Sequence, residues 1–231
     1  MTNSKAIWTV KTECGPIREK NEDAIYPDKS GSSSLPIKAG VFDGMGGHQK
    51  GEVASLLASE VMDANFINIS DYVNLANKNI LDYQNKHTEA MGMGTTMTIV
   101  EIDKEKVLHL AHVGDSRCYV LNNRNLIQLT KDENVPGYQN VLTQALGSKE
   151  KLKIQTKDFQ LASGDVVFLC TDGVYNEIGD EYLKNKLMDG VTAESLISEV
   201  LLQNPKDNIL SLIHISEPTR RTTISYAVFC L

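Results

Sequence analysis

The stretch Val41-Phe42-Asp43-Gly44-Met45-Gly46-Gly47-His48 places one carboxylate between an apolar strand segment and a glycine-rich loop. Glycine lacks a Cβ atom, so such a loop can adopt positive φ values and let a ligand approach the backbone. Asp43 and the carbonyl group of Gly44 together offer hard oxygen ligands, which suit Mg²⁺ or Mn²⁺. Read alone, the stretch is equally consistent with a tight strand-to-helix turn in which Asp43 acts as a cap.

The composition is that of an ordinary globular chain with an acidic balance. The 231 residues are 41% apolar and 23% charged, which indicates one domain with a normal core. A net charge of −7 implies no basic surface for nucleic acid or an anionic membrane. Residues 1–10 contain no apolar signal segment, and no stretch has the length of a membrane span. The four cysteines lack metal-site or disulfide-framework spacing, so we expect free thiols in a cytoplasmic protein.

The order of the sequence patterns predicts an α+β fold in a single domain. Strands are expected over residues 6–12 and 36–42, with the polar stretch 28–34 as a flexible hairpin tip. Helical periodicity follows over 50–66 and about 71–88, and closely spaced strands form an antiparallel meander from residue 95. A buried strand over 165–173, helices within 179–203 and a last strand over 209–215 complete the pattern. Segregated strands and helices favour mainly antiparallel sheets.

Four aspartates share one kind of position, at an end of an apolar strand segment: Asp43, Asp115, Asp172 and Asp207. Strand ends along one edge of a pair of sheets can converge. Buried like charges repel one another unless cations compensate them, so a convergent set predicts cation binding. The histidines and cysteines fall on separate elements, and an oxygen-only site indicates Mg²⁺ or Mn²⁺ rather than Zn²⁺.

Seven motifs follow one another between residues 18 and 208. They are Arg18-x-x-Asn21-Glu22-Asp23, Phe42-Asp43-Gly44-Met45-Gly46-Gly47-His48, Gly94-Thr95-Thr96, Val113-Gly114-Asp115-Ser116-Arg117, Leu142-Thr143-Gln144-Ala145-Leu146-Gly147, Cys170-Thr171-Asp172-Gly173 and Asp207-Asn208. In this order they resemble the metal-dependent protein phosphatases, the type 2C (PPM) serine/threonine phosphatase family in its bacterial form. The resemblance covers nearly the whole chain.

The resemblance implies a four-layer αββα sandwich with a binuclear metal centre between its two sheets. Asp43 matches the residue that bridges both ions, and the Gly44 carbonyl matches a ligand of one of them. Asp172 and Asp207 match the remaining ligands of the first ion. Asp23 matches a residue that acts on the second ion, mainly through water.

Two further residues carry roles by the same resemblance. Asp115 matches the residue that helps to hold a third, weaker ion. Arg18 matches the residue that grips the substrate phosphate, for which its planar fork of donors is suited. Two Mn²⁺ or Mg²⁺ ions roughly 3.5–4 Å apart activate a bridging water for in-line attack on phosphorus, without a protein nucleophile. The implied enzyme is a monomer that hydrolyses phosphoserine and phosphothreonine in proteins modified by a bacterial-type Ser/Thr kinase.

Plainer interpretations of the same residues remain open. Arg18 is alternatively a surface ion-pair partner of Glu22 or another acid. Asp115 is alternatively an Asx-turn residue of a hairpin, and Asp207 a turn residue. The whole chain is alternatively a non-catalytic or weakly active regulatory module of this fold, or a phosphatase that acts on another regulator such as an anti-anti-sigma factor. A degenerate site should have lost at least one functional residue. The presence of the complete set therefore favours an enzyme over a non-catalytic module; the set is Arg18, Asp23, Asp43, Asp172 and Asp207.

Two segments depart from the family pattern near the cleft. Some family members have a histidine, discussed as a general acid, directly after Asp-Gly; Met45 stands there, so we assign His48 a scaffold role only. The flap near residues 131–141 is short, with Val135-Pro136-Gly137-Tyr138 as its turn, and Glu133 stands where a histidine is common. We therefore expect an open cleft with weak selectivity among phosphopeptides and retained activity on a small aryl phosphate.

The C-terminal part departs as well. Residues 1–209 are expected to form the catalytic domain, and residues 210–231 an atypical tail. The peptide that begins at Leu210 and runs to Arg220 resembles translated sequencing-adapter DNA, and we interpret the tail as an artefact. Its first residues nevertheless alternate well enough to serve as the last strand. A hydrophobic tail that binds a partner is the alternative.

Overall fold

The computed structural model describes residues 5–45 and 50–216 of the chain. Gly46, Gly47 and His48, for which a scaffold role is predicted, lie outside the described residues, as do residues 217–231 of the atypical tail. None of the helices in the described part is long and apolar enough to cross a membrane.

The described residues form fourteen strands and five α-helices. The strands are β1 (Lys5–Glu13), β2 (Asp23–Tyr26), β3 (Gly31–Ser34), β4 (Ile37–Met45), β5 (Gly94–Thr95), β6 (Met97–Ile102), β7 (Val107–Val113), β8 (Arg117–Asn122), β9 (Asn125–Gln128), β10 (Asn134–Val135), β11 (Tyr138–Leu142), β12 (Gln155–Gln160), β13 (Val166–Cys170) and β14 (Ile209–Ser216). The helices are α1 (Gly51–Glu60), α2 (Ile69–Lys86), α3 (Asp172–Tyr175), α4 (Asp180–Met188) and α5 (Ala193–Leu201).

The strands are arranged in two antiparallel sheets and one small hairpin. The first sheet has the order β3-β1-β14-β13-β8-β9, and the second has the order β12-β7-β6-β4-β2, with β5 paired to β4. The hairpin consists of β10 and β11. Because β1 pairs with β14 along eight residues, the two distant parts of the chain lie side by side in the first sheet.

Three apolar layers hold these elements together. Because alternate side chains of a strand point to opposite faces of its sheet, one strand contributes residues to two of these layers. On β4, Val41 packs between the sheets while Phe42 packs under α1 and α2. On β13, Leu169 packs between the sheets while Phe168 packs under α4 and α5. The result is a helix–sheet–sheet–helix stack, so the predicted α+β fold, a four-layer αββα sandwich, is confirmed.

The prediction for residues 28–34 was wrong in part. Residues 28–34 are not merely a flexible tip, because Gly31–Ser34 forms β3 and pairs with β1. The indole N–H of Trp8 also donates to the carbonyl of Lys29 at 2.8 Å, and Ser30 Oγ accepts from the amide of Val10 at 3.0 Å. Backbone pairing at a sheet edge needs no apolar side chain, so a serine-rich composition did not reveal this strand.

Strand β14 carries a buried imidazole in the middle of the first sheet. His214 is 2% exposed, and neither ring nitrogen has a hydrogen-bond partner among the described residues. Its position along β14 puts it on the face of Leu210 and Leu212, which pack between the sheets. Burial lowers the pKa of His214 to about 4, so the folded protein holds a neutral ring at neutral pH.

Replacing this ring by leucine is expected to stabilise the protein. His214→Leu removes two buried polar atoms that lack partners in the described structure, and we expect about 1–2 kcal/mol more stability at pH 7 in urea unfolding. The unfolded chain binds a proton near pH 6.5 and the folded one only near pH 4. The wild type should therefore lose about 1 kcal/mol more than the variant between pH 7 and pH 5.5. An equal pH dependence in both proteins would contradict this account.

Candidate metal centre

A cleft of about 800 Å³ opens where the ends of the two sheets meet. It contains six of the seven residues predicted for the site, and the seventh, Asp23, lies directly behind them on β2. The six lining residues are Arg18, Asp43, Gly44, Asp115, Asp172 and Asp207. The fold thus brings together residues that are separated by up to 189 positions in the chain.

Asp23 and Asp43 are direct neighbours on paired antiparallel strands of the second sheet. Like charges opposite each other across a sheet destabilise it. The backbone around Asp43 is nevertheless held firmly, because its amide donates to Thr96 Oγ1 at 3.0 Å and its carbonyl accepts from Thr95 Oγ1 at 2.9 Å. On Asp23, Oδ1 is buried without a hydrogen-bond partner among the described residues.

Gly44 occupies a position where no side chain fits. A Cβ atom there would lie 2.3 Å from the carbonyl oxygen of Glu22 and 2.4 Å from that of Gly51. The amide of Gly44 donates to the same Glu22 carbonyl at 3.2 Å. The glycine that follows Asp43 is therefore required for the close approach of β4 to the loop before β2 and to the start of α1.

Asp172 and Asp207 come from the first sheet. Asp172 follows β13 and begins α3, and its Oδ1 is a second buried oxygen without a partner in the described part of the chain. Asp207 precedes β14, and its Oδ1 accepts from the amide of Asn208 at 2.8 Å. Their carboxylates thus face the pair on the second sheet from the other side of the cleft.

Asn208 joins the first sheet to the loop that carries Arg18, a role that the Asp-Asn motif alone did not indicate. Its side-chain oxygen accepts from the amide of Glu22 at 2.9 Å, and its side-chain nitrogen donates to the carbonyl of Lys20 at 3.0 Å. A Cβ atom on Gly15 would lie 2.0 Å from the carbonyl oxygen of Asp207. The two segments are consequently packed backbone against backbone.

Thr171 is a second residue whose role sequence patterns did not reveal. The side chain is fully buried, and its hydroxyl donates to Asp23 Oδ2 at 3.1 Å while it accepts from the amide of Leu210 at 3.2 Å. One hydroxyl therefore ties a carboxylate of the second sheet to two strands of the first. Its partners are distant in sequence, so only the tertiary fold identifies this contact.

The carboxylates raise one another's pKa. Burial first, and then the charges of Asp23 and Asp172, hold the pKa of Asp43 well above its usual range. Burial and the neighbouring carboxylates likewise raise the pKa of Asp23, and they raise that of Asp172 to about 7. A group of acids that suppress one another's ionisation is an environment that bound cations relieve.

The donor set fits divalent ions with oxygen preference. All the candidate ligands are carboxylate or carbonyl oxygens, and two buried carboxylate oxygens lack partners among the described residues. No three His, Cys, Asp or Glu side chains of the described part are already gathered around one metal-sized point. The ligands instead line two sides of an open cleft, which suits ions that keep several waters in their shell.

Arg18 makes an ion pair with Asp207, whose Oδ2 lies 2.6 Å from the guanidinium. The plainer interpretation of Arg18 as an ion-pair residue expected Glu22 or another acid, and the observed partner is this cleft carboxylate. The side chains of Arg18 and Asp207 are 41% and 32% exposed. Pairs this accessible contribute only about 0–1 kcal/mol, so the guanidinium can exchange its partner for a substrate phosphate.

Asp115 lies in the loop that leads from β7 of the second sheet to β8 of the first. It is 7% exposed, burial raises its pKa, and its Oδ2 accepts from the side chain of Asn134 at 2.9 Å. Glu133 supports the same loop, because its carboxylate accepts from the amide of Gly114 and from the side chains of Gln144 and Gln155. The acid that replaces the usual histidine here therefore has a structural role.

The short flap is the hairpin of β10 and β11. Pro136 and Gly137 form its two-residue turn, with a φ of +85° at the glycine. Leu142 at the end of β11 lines the cleft, whereas the side chain of Tyr138 at the turn is 67% exposed. The hairpin thus borders the cleft at its base.

Comparison with known proteins identifies the class of this sandwich. The family model described as "Protein phosphatase 2C" matches residues 18–204. The chain is 30% identical over 239 residues to the serine/threonine phosphatase stp of Listeria welshimeri, an alignment that covers 88% of this chain and 93% of that protein. These matches show that the chain belongs to the protein phosphatase 2C family.

Solved structures agree with the assignment. The serine/threonine phosphatase PstP/Ppp of Mycobacterium tuberculosis is 26% identical and superposes with a TM-score of 0.82, covering 93% of this chain and 100% of that one. The catalytic domain of PstP in complex with two manganese ions superposes with a TM-score of 0.81 at 26% identity, with 93% and 100% coverage.

Proposed function

We propose that this protein is a metal-dependent protein serine/threonine phosphatase that hydrolyses phosphomonoesters. The observation that carries the proposal is the meeting of carboxylates from both sheets in one cleft beside Arg18. Named serine/threonine phosphatases among its relatives support the same activity. The substrates are phosphoserine and phosphothreonine proteins, and the opposing enzyme is a bacterial-type Ser/Thr kinase.

We propose that two Mn²⁺ or Mg²⁺ ions bind in the cleft. The residues that hold them are those whose oxygens meet there: Asp23, Asp43, Gly44, Asp172 and Asp207. When bound, the ions supply Lewis acidity and lower the pKa of water near the phosphorus. Asp115, on the loop between the sheets, helps to hold a third and weaker ion. The relative solved with two manganese ions supports the binuclear part of this proposal.

The protein's own side chains have separate tasks in this proposal. Arg18 binds phosphoryl oxygens through its fork of N–H donors and stabilises the charge that spreads over them in the transition state. Thr171 and Asn208 keep the ligand-bearing segments in register. No side chain of this set acts as a nucleophile. The short flap leaves the cleft open, and a small aryl phosphate should enter as readily as a peptide.

The same proposal covers the organisation of the chain. Residues 1–209 form the catalytic domain with a short flap near 131–141, and its last strand, β14, continues from Ile209 into residues 210–216 of the tail. The protein acts as a monomer in the cytoplasm, where its cysteines stay reduced; Cys14, Cys118 and Cys170 are free thiols in the structure.

The direct test is metal-dependent turnover. We expect p-nitrophenyl phosphate and one phosphothreonine peptide to remain intact in excess chelator and to be hydrolysed when Mn²⁺ or Mg²⁺ is added. Activity that persists in excess chelator would contradict the proposed metal dependence. If metal ions raise the melting temperature but neither substrate is hydrolysed, the non-catalytic regulatory module becomes the better description.

A further inference from the structure

Lys206 lies at the mouth of the cleft, on the loop between α5 and β14. It is exposed and lines the cleft next to Asp207, the partner of Arg18. Its backbone is fixed on both sides, because Pro205 before it is buried and Asn208 is hydrogen-bonded to the Arg18 loop. The side chain of Lys206 therefore starts from a well-held backbone position in the lining of the cleft that also contains Arg18.

The ammonium group of Lys206 has no ion-pair partner among the described residues. Arg18 and Lys206 are the cations among the described residues that line the cleft, and Arg18 is ion-paired to Asp207. Lys206 makes no ion pair or hydrogen bond with any described residue. Other exposed lysines, such as Lys78 on α2, are also without an ion pair in the described part of the chain, so it is the place of Lys206 in the lining of the cleft that distinguishes it. An uncommitted cation at the rim of an acidic cleft is available to a ligand.

We infer that Lys206 is a specificity-determining residue, which favours phosphoproteins with an acidic side chain next to the phosphorylated residue. The inference rests on the proposed phosphatase function. In an extended peptide neighbouring residues are about 3.5 Å apart, so a phosphoryl group held by Arg18 brings adjacent side chains near Lys206. Opposite charges attract over several ångström without a fitted pocket. Charge is thus a property that a cleft with a short flap can still select.

The remaining rim limits where an acidic residue is favoured. Glu22 and Glu177 line the same cleft and would repel a substrate carboxylate that approached them. Only an acid that reaches Lys206 gains attraction, so the preference should depend on which side of the phosphoresidue carries the acid. Peptides with a glutamate before or after the phosphothreonine separate these two cases.

The experiment compares kcat/KM for these two peptides with a neutral peptide of the same length. For the wild type we expect at least one acidic peptide to be hydrolysed about two- to fivefold more efficiently, mainly through KM, and the ratio to fall toward one at high salt. Lys206→Gln should abolish the advantage, and Lys206→Glu should transfer it to a peptide with lysine at that position. Lys78→Gln, on an exposed site of α2, changes net charge equally and should keep the wild-type ratio.

Two outcomes would overturn the inference. One is equal efficiency for acidic and neutral peptides in the wild type, and the other is an acidic advantage that survives in Lys206→Gln. Both require that the neutral peptide is hydrolysed, so they differ from a failure of the proposed function, in which no phosphorylated substrate is turned over with any metal.

Discussion

Asp43→Asn is expected to lower kcat/KM by at least about 100-fold at any concentration of Mn²⁺ or Mg²⁺. The asparagine keeps the size of the side chain but loses a charge and one acceptor oxygen from the proposed ligand set. Loss of an outer-shell partner alone typically costs a metal site 10–100-fold, and Asp43 would be a direct ligand of both ions. Hydrolysis of p-nitrophenyl phosphate across a metal titration measures the effect.

Although Asp43→Asn should lower activity, it should raise the stability of the metal-free protein. Burial and the neighbouring acids raise the pKa of Asp43, so a neutral asparagine at this position is expected to stabilise the metal-free variant by on the order of 1 kcal/mol over the metal-free wild type. Mn²⁺ should raise the urea midpoint of the wild type but not that of the variant. Asp82→Asn on the exposed side of α2 is the matched control, with the same change in net charge and unchanged activity. Recovery of full Asp43→Asn activity at high Mn²⁺ would contradict the proposed role of Asp43 as a metal ligand.

Arg18→Ala is expected to reduce kcat/KM by about 10- to 100-fold while metal binding persists. Hydrogen bonds to a charged group contribute about 1.5–3 kcal/mol, and a net loss of about that size corresponds to the expected fold change because the metal ions still bind the phosphate. The loss should appear in both KM and kcat, because Arg18 binds the phosphate and also stabilises the transition state, and inorganic phosphate should become a weaker competitive inhibitor. Arg18→Lys should be intermediate, because it keeps the charge but not the bidentate geometry.

The ion-pair interpretation of Arg18 makes a different prediction. If the guanidinium served only to pair with Asp207, its loss would change stability by no more than about 1 kcal/mol and leave phosphate inhibition unaffected. Urea unfolding and phosphate inhibition of the same variant therefore separate the two roles. Unaltered phosphate inhibition would remove Arg18 from the substrate-binding site.

The parts of the fold that could be predicted are those with a strong apolar pattern. Strand β13 is a continuous apolar run, and β4 contains the buried run 39–42, since both faces of these segments are covered. The edge strands β3 and β12 lack such a pattern, because exposed polar side chains cost them nothing as long as the backbone pairs. Edge strands are thus visible only once their neighbours are known.

The site likewise contains residues that could be predicted from the sequence and residues that could not. Four of the aspartates were recognisable because the sequence pattern puts each at an end of an apolar segment, and Asp23 was recognisable through its motif. Three residues, Thr171, Asn208 and Glu133, act through hydrogen bonds to segments that are distant in sequence. The sequence around each of them does not indicate which distant group it will contact. The ion-pair partner of Arg18 could not be predicted from the sequence either, because Asp207 lies 189 residues away.

The pairing of β1 with β14 has a consequence for a chain that is still being synthesised. Ribosomes extend the polypeptide from the N-terminus, so Arg18 and Asp43 emerge long before β14. Until Asn208 follows, the Arg18 loop lacks the side chain that holds Glu22 and Lys20, and β1 lacks its long antiparallel neighbour. A nascent chain therefore has no complete cleft. We expect it to begin hydrolysing phosphoproteins only after β14 has been synthesised.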